Sequence, residues 1–166
     1  MTPQYGEGFA GFGGDAAHVN SVLGLRAGPV GTAWATALAS PSTGHTPFVV
    51  VHSPNLPVMP FTLFVNKAAI AGDRHGTLTW GAAQAGVAAG VIDALEAGLF
   101  ERCGAIDDLA LIAAVWVDPK ATQEELVYAN NRNATFAAIT MGSGGGPTVE
   151  QLVQAGEPVN PYFRQH

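Results

Sequence analysis

Apolar and polar positions along the chain form two kinds of pattern, short apolar runs and helical stripes. Apolar runs rich in β-branched residues predict strands over residues 16–25, 47–52, 61–70 and 107–117. Helical spacing and helix-start residues predict helices from Gly28 to about Ser40, over 81–100 and over 122–141. Residues 1–15 are Gly-rich and are expected to be mostly irregular, with room for one short strand. The predicted order is β-α-β-β-α-β-α.

This order favours an α+β fold, because strands follow one another without the regular alternation of a doubly wound sheet. The run over 107–117 is apolar enough to be buried on both faces of that sheet. A flexible Gly- and Pro-containing break over 142–147 divides the chain. We therefore expect one domain over 1–141 and a Gly/Pro-rich C-terminal extension over 142–166.

The two longer predicted helices carry specific packing and capping signals. One apolar stripe at helical spacing consists of Gln84, Val87, Val91 and Leu95. Gly86 and Gly90 add a smooth patch that lets another element approach closely. Thr122 and Glu125 have the spacing of a capping box at the start of the last long helix.

Charge and composition narrow the classes of partner. The chain has 166 residues, with 7 basic and 13 acidic side chains and a net charge of −6. No basic patch is available to neutralise phosphates, so nucleic acid and anionic membranes are not expected as partners. Prolines interrupt the uncharged stretch over 27–66, which excludes a membrane span there. Only 12% of residues are charged, and sister subunits are the simplest cover for such a surface.

Cysteine use and the N-terminus indicate the compartment. Cys103 is the single cysteine, which excludes a disulfide framework and a multi-thiolate zinc site. No signal peptide is evident, so a cytoplasmic protein is expected. The five histidines lack helical metal-ligand spacing, and no metal site is predicted.

His18 is the sharpest candidate for chemistry. Strand alternation puts His18 and Asn20 on one face, about 7 Å apart. An imidazole is well suited to give or take a proton near neutral pH. The alternative is a structural histidine, exposed or hydrogen-bonded.

Two further polar residues sit in apolar surroundings. Lys67 lies inside an apolar strand, where it is either functional or an edge-strand lysine that blocks aggregation. Gln84 lies on an apolar helical stripe, where it is either functional or a satisfied buried amide that fixes packing.

Several short motifs at matching spacings, over about three quarters of the chain, resemble the formaldehyde-activating enzyme family. The most specific of them is Pro54-Asn55-Leu56-Pro57. The others are Ala17-His18-Val19, Gly28-Pro29, Gly44-His45-Thr46-Pro47, Thr62-Leu63, Asn66-Lys67, Trp80-Gly81 with Ala83-Gln84, Asp107-Asp108-Leu109, and Asn131 with Ala134-Thr135.

The resemblance implies a lyase that condenses formaldehyde with tetrahydromethanopterin to methylene-tetrahydromethanopterin and water. It implies a fold like ribosomal protein S5 domain 2, with a four-stranded sheet packed against helices. It also implies a homopentamer with sites in clefts between subunits. His18 then takes the position of the general acid. Asn20, Val49, Lys67 and Gln84 take positions that face the substrate. No permanently bound cofactor is implied, since tetrahydromethanopterin is a co-substrate.

Departures from the family pattern fall among the substrate-facing positions. Asn20 replaces the usual aspartate, Phe12 replaces the aspartate of Gly-Asp-Gly, and Ala69 replaces a threonine. Asn130 and Arg132 stand where tyrosines are common. These changes keep a second hypothesis open, a non-catalytic pterin- or aldehyde-binding paralogue that acts as a sensor or carrier. An oligomeric scaffold without a ligand is a third.

Overall fold

A computed structural model describes residues 1–160 as a five-stranded mixed sheet, a two-stranded ribbon and helices. The strands are β1 (Gln4–Ala10), β2 (Ala17–Leu25), β3 (Phe48–Val49), β4 (Val51–Ser53), β5 (Leu56–Pro57), β6 (Phe61–Asn66) and β7 (Leu109–Val117). The large sheet has the order β1-β2-β7-β6-β3, and β4 pairs with β5 in the ribbon. Within the sheet, β6 and β7 run parallel and the other pairs are antiparallel.

Five α-helices occur within residues 1–160. They are α1 (Pro29–Ala39), α2 (Asp73–Leu78), α3 (Gln84–Glu96), α4 (Glu124–Ser143) and α5 (Val149–Gln154). A π-helical turn over Thr79–Ala83 joins α2 to α3, and single 3-10 turns occupy Gly13–Asp15 and Ile106–Asp108.

The two faces of the large sheet are covered unequally. The core lies on the face that packs against α3 and α4, where β2 contributes Ala17 and Val19. The opposite face is covered by α1 near one end of the sheet, where Val30 packs on Gly24. The rest of that second face, named here the open face, includes His18 and Asn20, which are half-buried. Alternation along each strand therefore places one set of side chains in the dry core and the other set on a face that a ligand can reach.

The α+β class is confirmed, but the expected four-stranded sheet is wrong. The fifth strand is β1, which lies in the segment expected to be mostly irregular. Its glycines have a packing reason, because a Cβ on Gly6 would lie only 1.8 Å from the carbonyl oxygen of Ala138 in α4. Helix α4 crosses β1 so closely that side chains are excluded there, and glycine lowers the strand signal in the sequence.

The predicted strands are otherwise close to the structure, with three corrections. The run over 47–52 is split into β3 and β4 at Val50. Asn55, with φ of 67°, then turns the chain between β4 and β5 of the short ribbon. The run over 61–70 ends as a strand at Asn66. β7 is buried throughout on its core face, whereas on the other face only Ala110 is buried and Ile112, Ala114 and Trp116 are half-buried in the single chain.

The helix expected over 81–100 begins earlier, at Asp73, and passes through the π turn. Val87 and Val91 are buried as predicted, but Leu95 is 44% exposed. The smooth patch is confirmed, since a Cβ on Gly86 would lie 2.4 Å from the carbonyl oxygen of Tyr128 in α4. Backbone contact between α3 and α4 therefore depends on glycine.

The predicted capping box at Thr122 and Glu125 is wrong. The N-cap of α4 is Gln123, whose side chain makes no capping bond. Instead, Asp15 Oδ1 accepts the N–H groups of Thr122 and Gln123 at 2.7 and 2.9 Å. A carboxylate distant in sequence thus caps the helix, a contact that local spacing does not reveal.

In the expected C-terminal extension, a capping box of Thr148 and Gln151 starts α5. Residues 161–166 of that extension lie outside the described residues. No helix in the described part of the chain is long and apolar enough to cross a membrane.

Candidate active site

Four polar side chains meet on the open face and form a continuous line of hydrogen bonds. Lys67 Nζ donates to Asn20 Oδ1 at 2.9 Å and to His18 Nδ1 at 3.2 Å. The other ring nitrogen of His18, Nε2, lies 2.9 Å from Glu7 Oε1. Three of these residues were expected to be functional, and the structure brings His18, Asn20 and Lys67 together.

Strand register explains why the cluster forms. Glu7 on β1 is opposite Asn20 on β2, and Phe9 is opposite His18. His18 is in turn opposite Trp116 on β7. Paired residues of neighbouring strands project from the same face, so these side chains share the open face. The carboxylate therefore reaches the imidazole from the neighbouring strand.

Lys67 follows the last residue of β6 and reaches toward β2 across β7. Its backbone N–H donates to the carbonyl of Val115 at 2.8 Å. The preceding Asn66 is buried and its amide donates to the carbonyls of Gly44 and Ala68. His45 Nδ1 lies 2.9 Å from the carbonyl of Asn66. The loop around Gly44 thus holds the strand end that carries Lys67.

The edge-strand interpretation of Lys67 is wrong, because β6 is an inner strand between β7 and β3 and the Lys67 amine is engaged by Asn20 and His18. The ammonium group has three N–H groups, and Asn20 and His18 accept two of them. The third has no partner among residues 1–160. The Lys67 nitrogen is therefore directly accessible to a ligand at one position, whereas both ring nitrogens of His18 are already engaged.

The partners fix the protonation pattern of His18. An ionised Glu7 can only accept, so Nε2 carries the proton of the neutral ring, and Nδ1 accepts from Lys67. Burial lowers the pKa of His18 below its ordinary value, and the charge of Lys67 lowers it further, against the opposing effect of Glu7. Neutral imidazole is therefore the resting form near pH 7.

Burial also lowers the pKa of Lys67, to about 8, and Glu7 opposes this shift. The nearest side-chain oxygen, Oδ1 of Asn20, is neutral, so it accepts a hydrogen bond without adding a full negative charge. Lys67 is therefore a better proton donor than an ordinary lysine, and its N–H already points at His18 Nδ1.

Aromatic rings surround the cluster. The ring of Phe9 is tilted against the His18 ring with centroids 6.4 Å apart. The indole Nε1 of Trp116 is buried and has no hydrogen-bond partner in the part of the chain described. This side of the open face therefore combines an aromatic surface with an unpaired donor.

Val49 and Gln84 are not part of this cluster in the single chain. Val49 lines a hollow of about 480 Å³ between α1 and the sheet, together with Arg26, Trp34 and Phe61. Gln84 Oε1 accepts the backbone N–H of Val51 at 2.7 Å, which ties α3 to the ribbon. This contact is the packing role weighed as the alternative for Gln84, and it leaves the amide nitrogen available.

Other candidates from the sequence have local explanations. His75 is buried and satisfied, with Nδ1 accepting from the N–H of Ala71 and Nε2 2.9 Å from the carbonyl of Val117. Cys103 is buried against Gln4. No group of three or more His, Cys, Asp or Glu side chains within the described residues is arranged to hold a metal ion.

Glu7 is the residue that the sequence interpretation missed. It lies in the Gly-rich segment whose strand was not located. A strand over 4–10 paired antiparallel to β2 is the signal that could have found it, because Glu7 then faces the same side as His18.

The chain is thus a small α+β domain with an acid–base cluster on an open sheet face. The family model described as formaldehyde-activating enzyme (Fae) matches residues 5–163. The chain belongs to this family.

Relatives support this assignment at moderate identity. The 5,6,7,8-tetrahydromethanopterin hydro-lyase of Methanosarcina barkeri is 37% identical over 158 residues, which cover 95% of this chain and 88% of that protein. The bifunctional enzyme Fae/Hps of Methanococcoides burtonii is 38% identical over 148 residues. That of Methanosarcina barkeri is 35% identical over 151 residues. These two matches cover about 90% of this chain. The chain itself spans only 37% and 38% of the length of the two bifunctional relatives.

Proposed function

We propose that the protein condenses formaldehyde with tetrahydromethanopterin to give methylene-tetrahydromethanopterin and water. The observation that carries the proposal is the hydrogen-bonded line from Glu7 through His18 to Lys67 on the open face. The similarity to a tetrahydromethanopterin hydro-lyase over 95% of the chain supports the choice of substrates.

The reaction requires a proton donor at the step in which water leaves. When an amine adds to formaldehyde, it gives a carbinolamine, whose hydroxyl leaves as water only after protonation. We propose that His18 delivers this proton as the general acid. Because the resting imidazole is neutral, Nδ1 first takes this proton from Lys67, whose N–H already points at that atom. A second pterin nitrogen attacks the resulting carbon and closes the ring.

Glu7 acts as a positioning residue in this scheme. Its carboxylate holds the Nε2 side of the ring and stabilises the imidazolium that exists briefly during proton transfer. The contact is partly exposed, with 51% of the Glu7 side chain accessible. Its contribution is therefore one of orientation and modest charge stabilisation.

The remaining substrate-facing positions support a site shared between copies of the chain. Three strand spacings separate β2 from β3, and the register places Val49 four residues along β7 from His18, so the two residues lie roughly 19 Å apart. We propose that Val49 and Gln84 serve the site of a neighbouring copy in a homopentamer. The S5-like topology and the division at residue 141 remain predictions of the same kind.

A non-catalytic pterin or aldehyde binder is the second candidate. It is favoured by Asn20, which accepts a bond from Lys67 where the family has an acid. It is also favoured by the engagement of both ring nitrogens of His18. The departure at position 20 removes a charge from the site, while Asn20 Oδ1 still accepts from Lys67 at 2.9 Å.

A rate assay separates the two candidates. Because formaldehyde and the pterin also react spontaneously, the enzyme-free rate is the reference. A lyase accelerates the reaction and binds the pterin in a titration. Pterin binding without acceleration would identify the binder, and neither result would mean that another ligand is used.

A further inference from the structure

The Lys67 nitrogen keeps one hydrogen-bonding position open. Asn20 and His18 accept two of its N–H groups, and the third position has no partner within residues 1–160. When the amine is neutral, a lone pair occupies one of its tetrahedral positions. A ligand that approaches the open face therefore meets Lys67 before it meets a free nitrogen of His18.

We infer that the Lys67 amine is the nucleophile that first captures formaldehyde, as a covalent methylene iminium, and that His18 carries the protons of this step. The inference rests on the proposed function for its second half, the transfer to the pterin. Nucleophile, adjacent base and orienting carboxylate are arranged in one line, as in other sites of covalent catalysis.

The capture step balances in atoms and charge. The lone pair of Lys67 Nζ forms a bond to the formaldehyde carbon while the carbonyl π electrons move to oxygen. His18 Nδ1 takes a proton from Nζ, and the oxygen takes up a proton from solvent, which the transfer step later returns, to give the carbinolamine. The imidazolium then protonates the hydroxyl and the C–O bond breaks. Water leaves as nitrogen and carbon form the iminium double bond.

The transfer step returns the lysine. A pterin amine attacks the iminium carbon and loses a proton, and the Lys67 nitrogen takes up a proton and departs as an amine. The carbon, now an iminium on the pterin, is attacked by the second pterin nitrogen, which loses a proton. The net change is formaldehyde plus two N–H bonds giving a methylene bridge and water.

The electrostatics of the cluster favour a neutral, nucleophilic lysine. With a pKa of about 8, about a tenth of Lys67 is neutral at pH 7, against roughly one in 2,500 for an ordinary lysine. The charged or titratable groups in contact with the cluster are Glu7 on β1 and His18 on β2. Asn20 offers Lys67 an acceptor without a full charge, which keeps the amine less basic than a carboxylate partner would.

Lys120 provides an internal control for trapping, because the chain has no third lysine and Lys120 is exposed. The full-length protein is incubated at pH 7 with dilute formaldehyde and cyanoborohydride, which reduces an iminium to a methylamine. Peptide mass spectrometry then measures methylation at each lysine. We expect Lys67 to be methylated at least about tenfold faster than Lys120. Equal or slower methylation of Lys67 overturns the inference.

Two variants sharpen this test. Lys120→Arg leaves the rate of trapping at Lys67 unchanged. Lys67→Arg keeps a cation that can donate to Asn20 and His18 but removes the nucleophile. It is therefore expected to lose about a hundredfold or more of any acceleration of pterin condensation. If a folded Lys67→Arg protein keeps most of the acceleration, the lysine is a binding cation and the inference fails.

The two claims fail in different ways. Acceleration of the condensation without preferential trapping at Lys67 overturns covalent capture and leaves the proposed function standing. Preferential trapping without acceleration overturns the proposed function, supports capture, and indicates a protein that holds formaldehyde.

Discussion

Neighbouring residues of the same strand serve opposite purposes on the two faces of the sheet. On the core face, Ala17 and Val19 of β2 are fully buried beneath the helices. On the open face, His18 and Asn20 belong to a hydrogen-bonded line of four polar side chains. Successive residues of β2 thus alternate between side chains that pack in the core and side chains that belong to the acid–base cluster. The same β2 register therefore supports both stability and reactivity.

The faces also differ in what they tolerate. The core face includes backbone contacts at glycine, which leave no space for an added atom. The open face is held by hydrogen bonds between partly exposed groups, each worth little in free energy of unfolding. We therefore expect substitutions on the core face to change stability and those on the open face to change the rate.

The largest expected effect on stability is that of Gly86→Ala. Its Cβ would lie 2.4 Å from the carbonyl oxygen of Tyr128, so α3 or α4 must shift. We expect a loss of about 2–3 kcal/mol in the free energy of unfolding, measured by denaturant titration. Gly81→Ala is the matched control, because a Cβ there meets nothing within 4 Å. An unchanged stability for Gly86→Ala would contradict the expectation that the helix layer over the core face has no space for an added atom.

A smaller effect, confined to the rate, is expected of Glu7→Gln. The carboxylate raises the pKa of both His18 and Lys67, so its removal lowers both values. We expect about a tenfold loss of acceleration and a shift of both limbs of the pH–rate profile to lower pH. Stability should stay within about 0.5 kcal/mol. A profile that keeps its position would show that Glu7 does not act through the cluster.

The smallest expected effect is that of Asp15→Ala, which removes the cap of α4. We expect a loss of about 1 kcal/mol at pH 7. Burial raises the pKa of Asp15, but the N–H groups of Gln123 and Thr122 outweigh it, and the pKa is lower than 3.8. The stabilisation is therefore present above that value and is lost as the pH falls through the lowered pKa.

Asp15→Asn keeps an acceptor oxygen without the titrating charge. Its stability relative to Asp15→Ala should not change over the same acidic range. If the free energy of unfolding of the wild type changes with pH in the same way as that of Asp15→Asn, the capping role of the carboxylate is contradicted.

Local sequence patterns predicted the elements whose burial follows periodicity, such as β7 and the stripe of Val87 and Val91. They also placed His18 and Asn20 on one face, because strand alternation needs no tertiary information. The resemblance to a known family, rather than the pattern itself, singled out Lys67 as a substrate-facing residue, and its contact with His18 appears only in the structure. Its reach across β7 depends on strand order, which local patterns do not determine.

What the sequence did not predict depends on long-range contacts. β1 was not located because Gly6 is required by its close contact with the backbone of α4, more than 130 residues away, and glycine weakens the strand pattern. Glu7 was missed for the same reason. The cap on α4 was misassigned because its acceptor, Asp15, lies more than 100 residues earlier. In both places the structure depends on a contact between residues that are far apart in sequence, and a local sequence pattern does not reveal such a contact.

The most direct test of the account measures the rate of formaldehyde–tetrahydromethanopterin condensation per folded molecule for wild type, His18→Ala and Gly86→Ala. The enzyme-free rate is subtracted in each case. We predict that His18→Ala falls to within about tenfold of the uncatalysed rate while remaining as stable as wild type. Gly86→Ala should keep the wild-type rate per folded molecule. A His18→Ala protein that keeps the wild-type acceleration would contradict the central claim that the open face is the reaction site.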